Sequence, residues 1–124
     1  MTIQFAPEKV PKLYLVEADM CSSYVRAELQ RVVVGSLQLQ RLNALVYWSS
    51  SIQVHPSYRG QAIAGRMHVR AVEHVREKGG AIIVACVRDD NIAMHRAMGK
   101  TSGWLLTQRI NPETCLWIYH VTRT

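Results

Sequence analysis

Apolar and polar positions alternate in some stretches of the chain and recur at helical spacing in others, and the changes of period mark its elements. Lys12 to Glu17 and Arg31 to Leu37 read as strands. Asn43 to Trp48 reads as another, leading through Ser49-Ser50 into a short alternating segment, Ser51-Ile52-Gln53-Val54. His55 precedes a proline and is pushed toward extended geometry, after which Pro56, Ser57 and Gly60 turn the chain. From Ala62 onward Ile63, Met67, Ala71, Val72 and Val75 recur at helical spacing, Arg66, Arg70, Glu73, Arg76 and Glu77 fill the other face, and Gly79-Gly80 stops the helix. Ala81 to Val87 is an unbroken apolar run of strand length, the pattern of a strand buried on both faces, with Cys86 as a core residue. Ala18 to Gln30 fits two templates: a short helix capped by Asp19 or Ser22, or an extended segment in which Val25, Ala27 and Leu29 alternate. Trp104 to Arg109 and Cys115 to Val121 flank the turn-rich Ile110 to Thr114 and predict a closing antiparallel hairpin.

Strand, helix and buried strand in direct succession form one βαβ unit, so its two strands should run parallel with a right-handed crossover. The fold class is therefore α/β, or α+β by convention: a mixed twisted sheet with helices over it. The turn before the helix also has a chemical meaning. A small-residue turn at a helix start presents unpaired backbone N–H groups at the positive end of the helix dipole, a ready site for a pyrophosphate.

The segment Ile52 to Ala64, reading I-Q-V-H-P-S-Y-R-G-Q-A-I-A, resembles motif A of the GNAT superfamily of acyl-CoA-dependent N-acyltransferases, a Q/R-x-x-G-x-G/A signature after a strand. Arg59 fits the first position, Ala62 stands where Gly is usual, and Ala64 fits the last. Asp90 to Trp104 resembles motif B, in which an Asn (here Asn91) opens a helix that ends in a Gly-aromatic pair, here Gly103-Trp104. The resemblance covers roughly Ser50 to Trp104. It implies a GNAT-like sheet with a central βαβ acyl-CoA-binding unit, in a single domain over residues 1–124. It also implies acetyl-CoA or another acyl-CoA as co-substrate, gripped at its pyrophosphate by the amides of Gly60, Gln61, Ala62, Ile63, Ala64 and Gly65, with Arg59 shaping the loop. Backbone groups at Ile52 and Val54, where the family splays two strands apart, would bond the pantetheine arm, and Asn91 would cap its helix and face that arm. Ala62 is less permissive than Gly if the turn requires positive φ.

Acyl transfer to an amine needs an anchored thioester, a stabilised oxyanion and routes for the protons. Many GNAT members place a Tyr seven residues after the motif B Asn; that position is Met98, which cannot donate a proton. His95 and His55 are the candidate substitutes, each set against a bland reading as a partly exposed residue. No carboxylate falls on the motif strand, and Asp89 and Asp90 read as loop and capping residues. Gly99-Lys100-Thr101 matches the tail of a nucleotide-binding P-loop, but Met94 occupies the place of its first Gly and the preceding residues look helical, so the match is chance.

The remaining composition narrows the partners. The chain has 124 residues, 48% of them apolar, enough for one modest core. Its longest apolar run is too short to span a bilayer, and the N-terminus lacks a signal-peptide layout, which predicts a cytoplasmic setting and no membrane partner. Cys21, Cys86 and Cys115 have neither disulfide nor zinc spacing, so no metal is expected. A net charge of +6 suits an anionic partner: coenzyme A first, nucleic acid as a minority reading. Two functions stay open, an acyl-CoA N-acyltransferase acting on a small-molecule or protein amine, and a binding module on the same scaffold that holds acyl-CoA or a macromolecule without chemistry. The chain is a monomer or a homodimer, since the C-terminal hairpin could swap or add edge to edge.

Overall fold

A computed structural model describes residues 10–59, 62–100 and 103–121. Its frame is a seven-stranded sheet in the order β1-β2-β3-β4-β5-β7-β6. The strands are β1 (Lys12–Glu17), β2 (Ser22–Leu29), β3 (Val32–Arg41), β4 (Val46–Val54), β5 (Ile82–Arg88), β6 (Trp104–Asn111) and β7 (Thr114–His120). Helix α1 (Ile63–Glu77) connects β4 to β5, and α2 (Ile92–Lys100) connects β5 to β6. β4 and β5 are parallel, as the βαβ reading requires, and the other neighbouring pairs are antiparallel.

The ambiguous segment after β1 is strand, not helix. Ser23, Val25 and Ala27 are buried in alternation, and that period of two is set by β1 and β3 pairing on either side. Asp19 caps a turn rather than a helix: its carboxylate accepts from the Cys21 and Ser22 amides at 2.7 and 2.8 Å. Gln30 and Arg31 both take positive φ, 52° and 68°, between the paired Leu29 and Val32. That is the backbone of a two-residue hairpin, so Arg31 belongs to the turn and β3 starts one residue later. The two strands expected on either side of Ser49-Ser50 are one continuous β4. Asn43 lies outside it, its side-chain oxygen accepting from the Leu45 and Val46 amides.

The core lies under the helices. Val25, Ala27, Leu37, Leu39, Ile83, Ala85 and Val87 from the sheet meet Ile63, Met67, Ala71 and Val75 from α1 and Met98 from α2. Gly35 lets β3 approach α1 closely, because a Cβ there would sit 3.2 Å from Ile63 Cγ2 and 3.3 Å from Met67 Cε. β5 corrects the sequence reading. Ile83, Ala85 and Val87 are buried, but Cys86 is exposed, so one face of this strand is covered and not both. Both helices pack on the same face as Ile83, and among the described residues no helix lies over the other.

α1 is anchored by two buried histidines. His74 Nε2 lies 3.3 Å from Ser23 Oγ, and its ring meets Tyr47 edge-on. His68 stands edge-on to Trp104 at 5.1 Å, and burial pushes its pKa down to about 4. Burial also lowers that of His74, against the opposing charge of Glu17.

Candidate functional site

The site begins where β4 and β5 part. Their pairing runs from Val46↔Ile82 to Ser49↔Ala85 and stops, after which β4 follows β3 while β5 follows β7. A bulge in β4 accompanies the split. Ser36 pairs with Gln53 and Gln38 with Ser50, so two steps along β3 face three along β4. The extra residue inverts the phase of β4: Tyr47 and Ser49 face the helices before the bulge, Ile52 and Val54 after it. Alternation alone would have sent Ile52 to the opposite face.

Below the split the chain turns through a short 3-10 segment, Pro56–Tyr58, into α1. His55 caps that segment, its Nδ1 accepting from the Ser57 amide at 3.2 Å, which places the proton of the neutral ring on Nε2. Arg59 Nε donates to the Val54 carbonyl at 3.2 Å and closes the turn. Ala62, the residue at the usual Gly position, sits at φ 60° and ψ 21°, the left-handed region, and heads α1 without any side-chain cap. Among the described residues, the first amides of α1 thus have neither an intrahelical acceptor nor a capping side chain. No acidic residue occupies the first turn of α1 or of α2, and both helix starts lie at the same cleft. An open helix start of this kind is the geometry that suits an anion.

That cleft has a volume of about 720 Å³. Of the residues predicted for the coenzyme, it brings together Ile52, Val54, Arg59, Ala62, Ile63, Ala64 and Asn91, with His55 beside them. Gly65 is on the same helical turn but is not part of the lining, and Gly60 and Gln61 lie outside the described residues. A second cavity of about 620 Å³ continues through the gap, sharing Ile52, Asn91 and Met94 with the first. Ser49, Ser50, Cys86 and Met98 also border it. The sequence pointed to Met98 but not to the three others.

His95 is placed differently from His55. Its Nε2 donates to the Arg88 carbonyl at 3.0 Å and its Nδ1 accepts from Trp117 Nε1 at 3.2 Å. Both nitrogens are engaged in tying α2 to the end of β5 and the middle of β7, and His95 is not among the residues lining either cavity. Around it a polar cluster forms that the spacing of the cysteines did not foretell. Asp89 pairs with Arg109 and accepts from Cys115 Sγ at 3.2 Å, and donor atoms of Asp89, His95 and Cys115 lie within 4.8 Å of one another. The Arg109 bond, then that of Cys115, holds the Asp89 carboxyl below its ordinary range, while the same Asp89 bond and burial raise the Cys115 thiol. With these groups satisfied by one another and by Arg88, Arg109 and Trp117, the cluster acts as a clamp on the C-terminal hairpin. Asp89 is thus more than the loop residue it resembled.

Comparisons with known proteins agree with this architecture. No curated protein matches the sequence significantly. The fold is similar to that of an acetyltransferase of the GNAT family from Staphylococcus aureus Mu50, with a TM-score of 0.73 at 14% identity over 82% of this chain and 69% of that one. It is similar to the PaiA N-acetyltransferase of Thermoplasma acidophilum in complex with coenzyme A, with a TM-score of 0.75 at 13% identity over 81% of this chain but only 61% of that one. A GNAT family acetyltransferase from Elizabethkingia anophelis with acetyl-CoA bound gives a TM-score of 0.77 at 10% identity, over 91% of this chain and 99% of that one. No helix among the described residues is long and apolar enough to cross a membrane. The model of the Acetyltransferase (GNAT) family matches residues 3–104, most of the chain, and the protein belongs to that family.

Proposed function

We propose that the cleft binds an acyl-CoA, with acetyl-CoA the first candidate, and that the protein transfers the acyl group to the amine of a small molecule or protein. The observation that carries this reading is the coincidence of two features at one place. An uncapped helix start headed by left-handed Ala62 offers amides to a pyrophosphate, and the β4–β5 gap beside it leaves backbone groups of Ile52 and Val54 outside the β5 ladder for a pantetheine arm. The amides of residues 60 to 65 grip the diphosphate, Arg59 holds the turn in shape, and Asn91 fixes the start of α2 at the arm. The coenzyme A complex of the Thermoplasma structure and the acetyl-CoA complex of the Elizabethkingia structure support the class of ligand. The chain functions as one domain, with a single continuous core joining both motifs.

Of the two histidines, His55 has the better position for carrying a proton, because it borders the cleft with Nε2 outside its own cap. His95 would have to give up a bond to Arg88 or Trp117 first. Met98 favours a second reading. It is 2% exposed and borders the gap at the position of the family's usual Tyr, which suits a module that holds acyl-CoA without turning it over. Titration calorimetry with coenzyme A and acetyl-CoA tests the site, and thiol release against an amine panel separates the readings. Tight binding with no release favours the module; no binding of either ligand overturns both.

A further inference from the structure

Ser49 is the last residue of β4 paired with β5, and its side chain faces the helices beside the point where the gap opens. It is 4% exposed, and its Oγ has no hydrogen-bond partner among the described residues. A buried hydroxyl in that state is uncommon and costly, because it has lost water and gained nothing. The other buried residues that border this cavity are apolar, Ala85, Val87 and Met98, while Cys86, Arg88, Asp90 and Asn91 are exposed. A strand alternating in and out has no packing need for a hydroxyl at this depth, where Ala would fill the space.

We propose that Ser49 is the catalytic hydrogen-bond donor to the sulfur of the bound thioester, an assignment that rests on the acyl-CoA reading above. The amine nitrogen attacks the thioester carbonyl carbon, and a C–N bond forms. The tetrahedral adduct then collapses with cleavage of the C–S bond, whose electron pair stays on sulfur. The amine proton leaves to water, and Ser49 keeps its own proton while its O–H stabilises the departing thiolate. No oxidant, reductant or further reactant is needed. This places at the gap the function that Met98 cannot supply, from the strand side rather than the helix side.

The test uses the whole chain and needs no acceptor. A donor to sulfur favours the thiolate of bound coenzyme A, so its ionisation can be read from thiolate ultraviolet absorbance across pH, as the difference between the coenzyme A and desulfo-coenzyme A complexes. Ser49→Ala should raise the ionisation midpoint of the bound thiol by about one pH unit or more, the shift a charge-assisted hydrogen bond produces. Coenzyme affinity should change by less than about threefold, since only an interaction with the charged sulfur is lost. Ser49→Thr, which retains the hydroxyl, should keep the wild-type midpoint. An unmoved midpoint in Ser49→Ala overturns the assignment and leaves coenzyme binding intact, whereas failure of the wild-type protein to bind coenzyme A removes the underlying reading and this one with it. Ser49→Ala should melt at or above the wild-type temperature. A clear drop would expose a structural bond to Oγ and also overturn the assignment.

Discussion

The two helices begin in opposite ways although they open on one cleft. α2 is closed by its own sequence: Asn91 Oδ1 accepts from the Met94 amide at 3.2 Å, as an N-cap should. α1 starts from Ala62, a residue with no capping group, held in a backbone conformation that alanine disfavours. One helix start is completed by its own side chain, and the other, among the described residues, is not. On the proposed acyl-CoA reading the difference separates a structural terminus from a binding terminus, and it makes the same substitution mean different things at each.

The largest effect is expected from a carboxylate at the open start. Ala64→Asp sets a negative charge in the first turn of α1, at the lining of the cleft. Like charges brought together in a binding site cost several kcal/mol, so coenzyme A affinity should fall by at least roughly 100-fold. The free protein should instead gain stability, about 0.3–1 kcal/mol, from the charge on the helix dipole. Calorimetry and thermal melting measure the two. Normal affinity in Ala64→Asp would mean the anion binds elsewhere.

The second effect concerns how the helices are held. α1 buries His68 and His74, whereas α2 holds by Met98 and by the external bonds of His95. His68 has a folded pKa of about 4 against an ordinary 6.5, so between those values the unfolded chain binds more protons than the folded one. Stability should therefore be complete above about pH 6.5 and decline as pH falls toward 4, by on the order of 3 kcal/mol for His68. The lowered pKa of His74 acts in the same direction. Urea melts across this range should show the slope in wild type and a shallower one in His68→Leu. An equal slope in both would mean that His68 is solvated.

This contrast between helices also marks what could be read before the structure. α1 and the parallel crossover were legible because Ile63, Met67, Ala71 and Val75 carry a clear helical period and Gly79-Gly80 a clear stop, the closing hairpin from its turn-rich loop, and α2 only through the resemblance of Asp90 to Trp104 to motif B. The turn at the start of α1 was legible from Pro56, Arg59 and the small residues after it. The β2 segment was not, since Val25, Ala27 and Leu29 suit a strand while Asp19 and Ser22 suit a helix cap. Only pairing with β1 and β3 decides between them. Ser49 and Cys86 were invisible for a related reason. A bulge inverts which face of β4 is buried, and three serines carry no period that would announce it. An apolar run such as Ala81 to Val87 says how much can be buried, not how many faces are covered. The Asp89–Cys115 clamp joins residues brought together by β5–β7 pairing, which no local pattern encodes.

At the closed start, Asn91→Ala should cost about 1 kcal/mol of stability, the usual loss of an N-cap. Coenzyme affinity should fall little in comparison, because the cap bonds the helix itself. If affinity collapsed while stability held, Asn91 would belong with the binding terminus and the contrast between the helices would fail.

The smallest effect has the most specific sign. Ala62→Gly removes the cost of a left-handed Cβ, about 1–2 kcal/mol, and adds unfolded-chain entropy worth about 0.4–1 kcal/mol in the other direction. The balance is a stabilisation of about 0.5–1 kcal/mol, opposite to the loss that an Ala→Gly change produces inside a helix. Glycine would leave the turn geometry and the open amides of α1 in place, so coenzyme binding should stay near the wild-type value. Destabilisation would show that Ala62 already has helical backbone. α1 would then begin earlier, its first free amides would shift toward residues 59 to 61, and the anion would be held before the turn rather than at its end.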